Sequence, residues 1–305
     1  MRKPLRRTIA GAAIVAFALI AAACGSGGDG EAKDGPTIKI GSANFSESAL
    51  VAEIYAQTLE AEGYQVERKL NTGNREIYAP ALESGELDLI PEYIGSILTY
   101  LGGTASSNSD ETYAALQAAW EPAGIQVLDY APAQDKNGFA VTQTTADSLS
   151  LTKVSDLAAV NGTLVLGGPP ECPEREFCLK GLESVYGLDF AEFKPLDAGG
   201  PITVAALEGD EIQVGLMFTS DGTILAKGFV LLEDDKALQP SENLAPAVRS
   251  EITDAYGDDF ADALNAVSLK LTTTELISLN KLVGIDGEDP ETVVADWLKA
   301  VGITE

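Results

Sequence analysis

The chain has 305 residues, with 20 Lys and Arg against 47 Asp and Glu, a formal net charge of −27 and no histidine. That length buries one large core or two medium ones, and so acidic a surface repels phosphate backbones, which argues against nucleic acid as a partner. The missing histidine excludes His-based triads and the usual near-neutral proton shuttle.

In chain order, the first elements are processing signals. Arg2, Lys3, Arg6 and Arg7 form a basic n-region, Ile9 to Ala22 is uncharged and mostly apolar, and small residues precede Cys24. The run Ile20-Ala21-Ala22-Ala23-Cys24 resembles a bacterial lipobox, with Ala21 where Leu is commonest. It implies a signal over residues 1–23 and acylation of Cys24; a plain secretory signal with an incidental cysteine is the alternative. Residues 24–36 then read as a flexible charged tether with nothing to bury. An anchor and a tether place a protein at a membrane surface without spanning it. Loss of the four basic signal residues leaves 16 Lys and Arg against 47 Asp and Glu, a net of −31.

Thr37 to Ser42 is predicted as a first strand, Ser46 as the N-cap of a helix carrying Leu50, Val51, Ile54, Tyr55 and Leu59, and Tyr64 to Leu70 as a second strand. A short helix with Ile77, Pro80, Ala81 and Leu82 ends at Ser84-Gly85-Glu86. Leu87 to Ile90 follows as a buried strand, from which Pro91-Glu92-Tyr93 exits. Strand and helix in alternation predict a doubly wound parallel sheet, whose C-terminal strand edge is the place for ligands. A helix over Tyr113 to Pro122, a strand over Ile125 to Leu128, an irregular polar stretch over Ala131 to Asn137 and a strand over Phe139 to Thr142 then lead out of the first lobe.

The second lobe alternates again: a helical turn over Asp156 to Ala159, strands over Thr163 to Leu166 and near Phe193, helices over Leu179 to Tyr186 and Ile202 to Leu207, and strands over Ile212 to Phe218 and Phe229 to Leu232. Cys172 and Cys178, the cysteines besides Cys24, read as a disulfide in an exported protein. So short a loop contributes on the order of 2 kcal/mol. Pro240 to Arg249 is predicted as the crossing back, followed by helices over Glu251 to Ala266, Thr273 to Lys281 and Pro290 to Val301. The expected lobes are residues 37–138 with 241–305, and 139–240. Two α/β lobes on two crossings enclose a cleft, a default ligand site.

Three blocks carry a family resemblance: Ile40-Gly41-Ser42-Ala43-Asn44-Phe45-Ser46-Glu47, Arg75 through Asp88, and Pro91-Glu92-Tyr93-Ile94-Gly95-Ser96. Together with Phe218-Thr219-Ser220-Asp221-Gly222 and Leu231 to Lys236, they resemble the osmoprotectant-binding lipoproteins of ABC importers for glycine betaine, choline and carnitine. The resemblance implies an α/β clamshell of the type II periplasmic-binding class with two hinge crossings. It also implies a monomer that serves a membrane ABC permease, with no cofactor, no metal and no catalysis. In such proteins tyrosines from both lobes cage the quaternary ammonium, a cation drawn to ring faces.

By that resemblance Tyr93 is a cage ring, Ser96 falls where a Thr commonly bonds the ligand, Asp135 keeps an acidic position, and Phe218 stands where a second-lobe tyrosine is usual. Ser42, Asn44 and Thr219 complete the expected ligand-binding set. The chain departs at Asn137, a tyrosine in the choline-binding type, at Gln239, where the last cage ring is missing, and at Ala43, which replaces a common lysine. Asn137 and Gln239 offer hydrogen bonds where rings are expected, so a neutral polar or aromatic ligand is the alternative for the same fold, and a sensor the alternative role. An extracytoplasmic hydrolase using Glu92 with Asp135 is the reading from a different class.

Overall fold

The computed structural model describes residues 33–170 and 172–305. The signal, the Cys24 anchor and most of the tether lie outside the described residues. Among the described residues there are ten strands: β1 (Ile38–Ala43), β2 (Val66–Gly73), β3 (Leu89–Tyr93), β4 (Ile125–Val127), β5 (Asn137–Thr142), β6 (Val165–Gly168), β7 (Glu192–Pro195), β8 (Val214–Phe218), β9 (Phe229–Leu232) and β10 (Leu244–Arg249). They form two five-stranded sheets, in the orders β2-β1-β3-β10-β4 and β7-β6-β8-β5-β9.

The sheets share one topology. β1 pairs parallel with β2 and β3, and β6 parallel with β7 and β8. β10 runs antiparallel to β3 and β4, as β5 does to β8 and β9. Tyr93, the last residue of β3, and Phe218, the last residue of β8, are therefore counterparts at the C-terminal edges of equivalent strands.

The helix Ser46–Ala61 is apolar nearly all round, burying Leu50, Val51, Ala52, Ile54, Tyr55, Ala56 and Leu59, the pattern of a helix covered on every side. Its cover is the first sheet on one side and the C-terminal helices Asp258–Ser268 and Pro290–Ala300 on the other. Each of its large apolar side chains contributes roughly 1.5–3 kcal/mol by leaving water. The C-terminal segment thus completes the first lobe rather than extending it.

Several elements differ from expectation. Phe45, not Ser46, takes the N-cap position, extended at φ −143° and ψ 155°. Ser48 instead turns its hydroxyl back to accept from the Ala43 amide at 2.9 Å, and Phe45 is thrown outward. Pro91-Glu92-Tyr93 does not leave the sheet: it is the second half of β3, paired with Leu244 to Pro246. Likewise Leu244–Arg249 is no free crossing but a buried strand that turns the expected parallel sheet into a mixed one. Pro246 lies opposite Pro91 and aims its carbonyl the other way, at the Leu128 amide (2.9 Å). The two prolines thus meet in a pair that exchanges no ladder bond. The helix expected over Glu251 to Ala266 is broken at Gly257, at φ +75° and ψ −162°, where a side chain would be strained.

The two lobes are joined by a ribbon. Gln134 and Asn243 form an antiparallel bridge, flanked by bonds from the Ala131 amide to the Leu244 carbonyl (2.7 Å), from Leu244 to Ala133 (3.1 Å) and from Asp135 to Glu242 (3.2 Å). The stretch expected to be irregular is one half of this hinge, and Asn137 is already in the second sheet, opposite Phe218. Cys172 and Cys178 are bonded, with Cα atoms 5.2 Å apart, and both are buried in the second lobe's core.

Candidate ligand-binding site

The candidate site lies where β3, ending at Tyr93, and the hinge ribbon meet the turn that follows β8. Tyr93 is 8% exposed, and its phenol donates to Glu47 Oε1. Asn280 donates from Nδ2 both to Glu47 Oε2 (2.5 Å) and to the Ser220 carbonyl (2.9 Å). One amide therefore ties the first lobe's tyrosine shell to the second lobe. Asp135, on the hinge ribbon, accepts from the Ser220 amide (3.3 Å). Glu242, on the other ribbon strand, accepts from the Ser96 amide (3.0 Å) and hydroxyl (2.9 Å).

Four carboxylates surround this region and only one is neutralised by a cation. Glu92 is fully buried and clamped by Arg75 (3.0 and 3.2 Å) and the Tyr78 phenol (2.7 Å). Glu47, Asp135 and Glu242 make no ion pair with any described residue. Burial, and then the Glu47 charge, push the Asp135 carboxyl up to about 7. Burial raises Glu242 too, against the bonds from Ser96 that hold it down. Burial first, then Glu47 and Asp135, lift the Tyr93 phenol well above its ordinary value. Carboxylates crowded out of water in this way lower their energy when a cation arrives.

Rings stand at or just after strand ends. Phe45 is 44% exposed, its centroid 6.1 Å from that of Tyr93 with planes 31° apart. Phe218 is 42% exposed and, as the cross-strand neighbour of Asn137, shares that residue's face of the second sheet. A separate cavity of about 330 Å³ lies between the two crossings, lined by Gln134, Lys136, Asn137, Thr219, Gln239 and Thr273 among others.

The structure brings Tyr93, Ser96 and Asp135 to one region, places Asn137 and Thr219 together on the neighbouring cavity, and sets the others apart. Ser42 is fully buried and holds β1 to β2, donating to the Ala43 carbonyl (3.0 Å) and accepting from the Asn71 amide (2.7 Å). Thr219 ties β8 to the hinge through the Gln134 carbonyl (3.2 Å) and the Lys136 amide (3.0 Å). Asn44 has an exposed side chain and donates its amide to Gly73 (3.1 Å). Asn137 and Gln239 each spend one amide N–H on the Phe177 carbonyl, at 3.3 and 3.0 Å. Sequence reading missed Phe45, Glu47, Glu242 and Asn280 as site residues. Glu47 looked like an ordinary acid in a helix's first turn, and nothing local marks Asn280, which reaches the site from a helix 233 positions away along the chain from Glu47.

Residues 36–300 match the family model described as the substrate-binding domain of the ABC-type glycine betaine transport system. The glycine betaine-binding protein YehZ of Escherichia coli is 30% identical over 280 residues, covering 88% of this chain and 92% of that protein. A glycine-betaine-binding protein of Pseudomonas aeruginosa is 28% identical over 275 residues, covering 86% and 87%. The solved structure of apo YehZ superposes with a TM-score of 0.80 at 29% identity, covering 88% of this chain and all of that one.

Proposed function

The chain belongs to the family of substrate-binding domains of ABC-type glycine betaine transport systems, and from that premise we propose a lipid-anchored receptor that captures a quaternary ammonium solute between its lobes and delivers it to a membrane permease. The anchor is Cys24, the disulfide Cys172–Cys178 reflects an oxidising extracytoplasmic location, and the lobes divide at the Gln134–Asn243 bridge. The receptor works as a monomer, without cofactor or catalysis. The relatives named above carry glycine betaine in their names, and the osmoprotectant class is the ligand class assigned to this chain.

One observation carries the reading: beside the Tyr93 and Phe45 rings, Glu47, Asp135 and Glu242 have no cationic partner among the described residues, and Phe218 stands exposed at the counterpart edge of the second lobe. Within the class this favours a net cation such as choline over the zwitterion glycine betaine, whose carboxylate would face like charge. The neutral-ligand alternative rested on the hydrogen bonds that Asn137 and Gln239 offer where rings are expected; each spends one amide N–H on the Phe177 carbonyl and keeps its remaining donor and its oxygen. The hydrolase alternative loses its acid, since Glu92 is fully buried between Arg75 and Tyr78.

Calorimetry of the purified protein against choline, glycine betaine, carnitine and neutral phenolics tests this. Choline is expected to bind most tightly of the four. Tightest binding of a neutral phenolic would overturn the ligand class.

A further inference from the structure

We infer that Phe177, carried by the disulfide-closed loop after β6, is a ligand-contacting and specificity-determining ring of this cleft, and that Asn137 and Gln239 are the positioning residues that hold it there. The inference rests on the quaternary ammonium reading and adds to it a residue outside every block that carries the family resemblance.

The first support is topological. The two sheets have matching strand orders, so the chain leaving β1 corresponds to the chain leaving β6. The β1 exit carries Phe45 beside Tyr93. The β6 exit runs through the Cys172–Cys178 loop, which carries Phe177, next to β8 and its terminal Phe218. Each lobe thus presents one ring at the end of its third strand in the parallel set and one ring on the loop leaving the central strand.

The second support is exposure. Among the described phenylalanines, Phe139, Phe229 and Phe260 are buried, Phe190 and Phe193 pack partly buried against the second lobe's core, and Phe45, Phe177 and Phe218 are exposed at 44, 46 and 42%. An apolar ring left in water costs free energy, and the three lie at the end of a strand or on the loop that follows one: Phe45 after β1, Phe177 after β6 and Phe218 at the end of β8.

The third support is how the loop is held. Asn137 Nδ2 and Gln239 Nε2 converge on the Phe177 carbonyl. Gln239 is 3% exposed, and Cys178, the residue after Phe177, is 2% exposed and bonded to Cys172. The backbone of Phe177 is therefore fixed from two sides while its ring stays out. Asn137 lies directly opposite Phe218, so the anchor for one exposed ring adjoins the other. Asn137 and Gln239 are the two positions where rings seemed to be lost, and the amides found there position a ring from elsewhere.

The test is calorimetry of the purified protein with choline and with its uncharged isostere 3,3-dimethyl-1-butanol, on wild type, Phe177→Leu, Phe177→Tyr and the double variant Asn137→Ala/Gln239→Ala. Phe177→Leu is expected to weaken choline roughly two- to thirtyfold while barely changing the isostere, since a leucine keeps the apolar wall and loses the ring face, and Phe177→Tyr to stay within about twofold of wild type. The double variant should match Phe177→Leu while its intact mass still shows the disulfide. Equal choline affinity in wild type and Phe177→Leu, or equal weakening of choline and isostere, would overturn the inference and leave the ligand class standing. Wild type that binds no quaternary ammonium would overturn both.

Discussion

The two lobes solve the same task with the same topology and different chemistry. At the end of β3 the first lobe places Tyr93, nearly buried, its phenol held by Glu47, with Glu92 one residue earlier inside a clamp of Arg75 and Tyr78. At the end of β8 the second lobe places Phe218, exposed and without a hydroxyl, preceded by the fully buried Met217. The first lobe fixes its ring with charges and hydrogen bonds; the second leaves Phe218 exposed, and beside it a disulfide and two amides hold the loop that carries Phe177. A ring locked by its own polar tip is fixed before any ligand arrives, whereas rings fixed only through their backbone can adjust to it. The first lobe therefore reads as the primary binding surface, and the second as the face that closes over it.

The sharpest way to break that comparison is to exchange the residues beneath the two rings. Glu92→Ala leaves Arg75 and Tyr78 without their partner and is expected to cost about 3–5 kcal/mol of stability. Met217→Leu, at the counterpart position, is expected to cost under about 1.5 kcal/mol. Urea unfolding of both variants measures this, and similar losses would show that the first lobe's charged clamp has no special weight.

The rings themselves come next. Tyr93→Ala removes the proposed cage ring together with the phenol that donates to Glu47, and choline affinity should fall on the order of a hundredfold or more. Phe218→Ala removes an exposed ring alone and should cost roughly two- to thirtyfold. A greater loss at Phe218 than at Tyr93 in titration calorimetry would reverse the roles given to the lobes.

The hinge between the lobes carries a pH dependence. Asp135 faces Glu47 from the first lobe's helix, Glu242 from the paired ribbon strand, the Tyr93 phenol, and the Ser220 amide of the second lobe. Its carboxyl is raised to about 7 against an unfolded value near 3.9. The folded state therefore holds the proton more tightly than the unfolded one, and unliganded stability falls as pH rises from about 4 to about 7. A bound cation favours the carboxylate, so choline affinity should rise through the same range and level off above it. Asp135→Asn should flatten both profiles. An affinity for choline that falls between pH 5 and 8 would show that Asp135 does not face the ligand.

The smallest effect tests the missing hydroxyl. Phe218→Tyr gives the second lobe the polar tip that Tyr93 has, without a Glu47 counterpart to receive it. Choline affinity should change by less than about threefold, the ring face being kept. A large gain would mean that the cleft does offer that hydroxyl a partner.

The architecture was legible because its signals are local: the apolar runs of β1 and β3, Gly85 and Gly63 closing helices, and the strand–helix alternation. What sequence reading missed depended on distant partners. Pro240 to Arg249 was expected as a crossing, but Leu244–Arg249 is a strand that tolerates Pro246 because its nitrogen faces away from β3, toward the end of β4. Tyr93 could be singled out from its place after Pro91-Glu92 at a strand edge, but Glu47 and Asn280, which complete its shell, carry no local mark. Asn137 and Gln239 looked like substitutions in a cage until their common acceptor at Phe177 was visible.

The most direct test of the account is a crystal structure of the protein with choline. The trimethylammonium is expected between the lobes, within about 6 Å of the ring centroids of Tyr93 on one side and Phe218 on the other, with Asp135 beside it. Choline resting against one lobe only, or lodged in the 330 Å³ cavity lined by Gln134, Lys136 and Thr273, would contradict it.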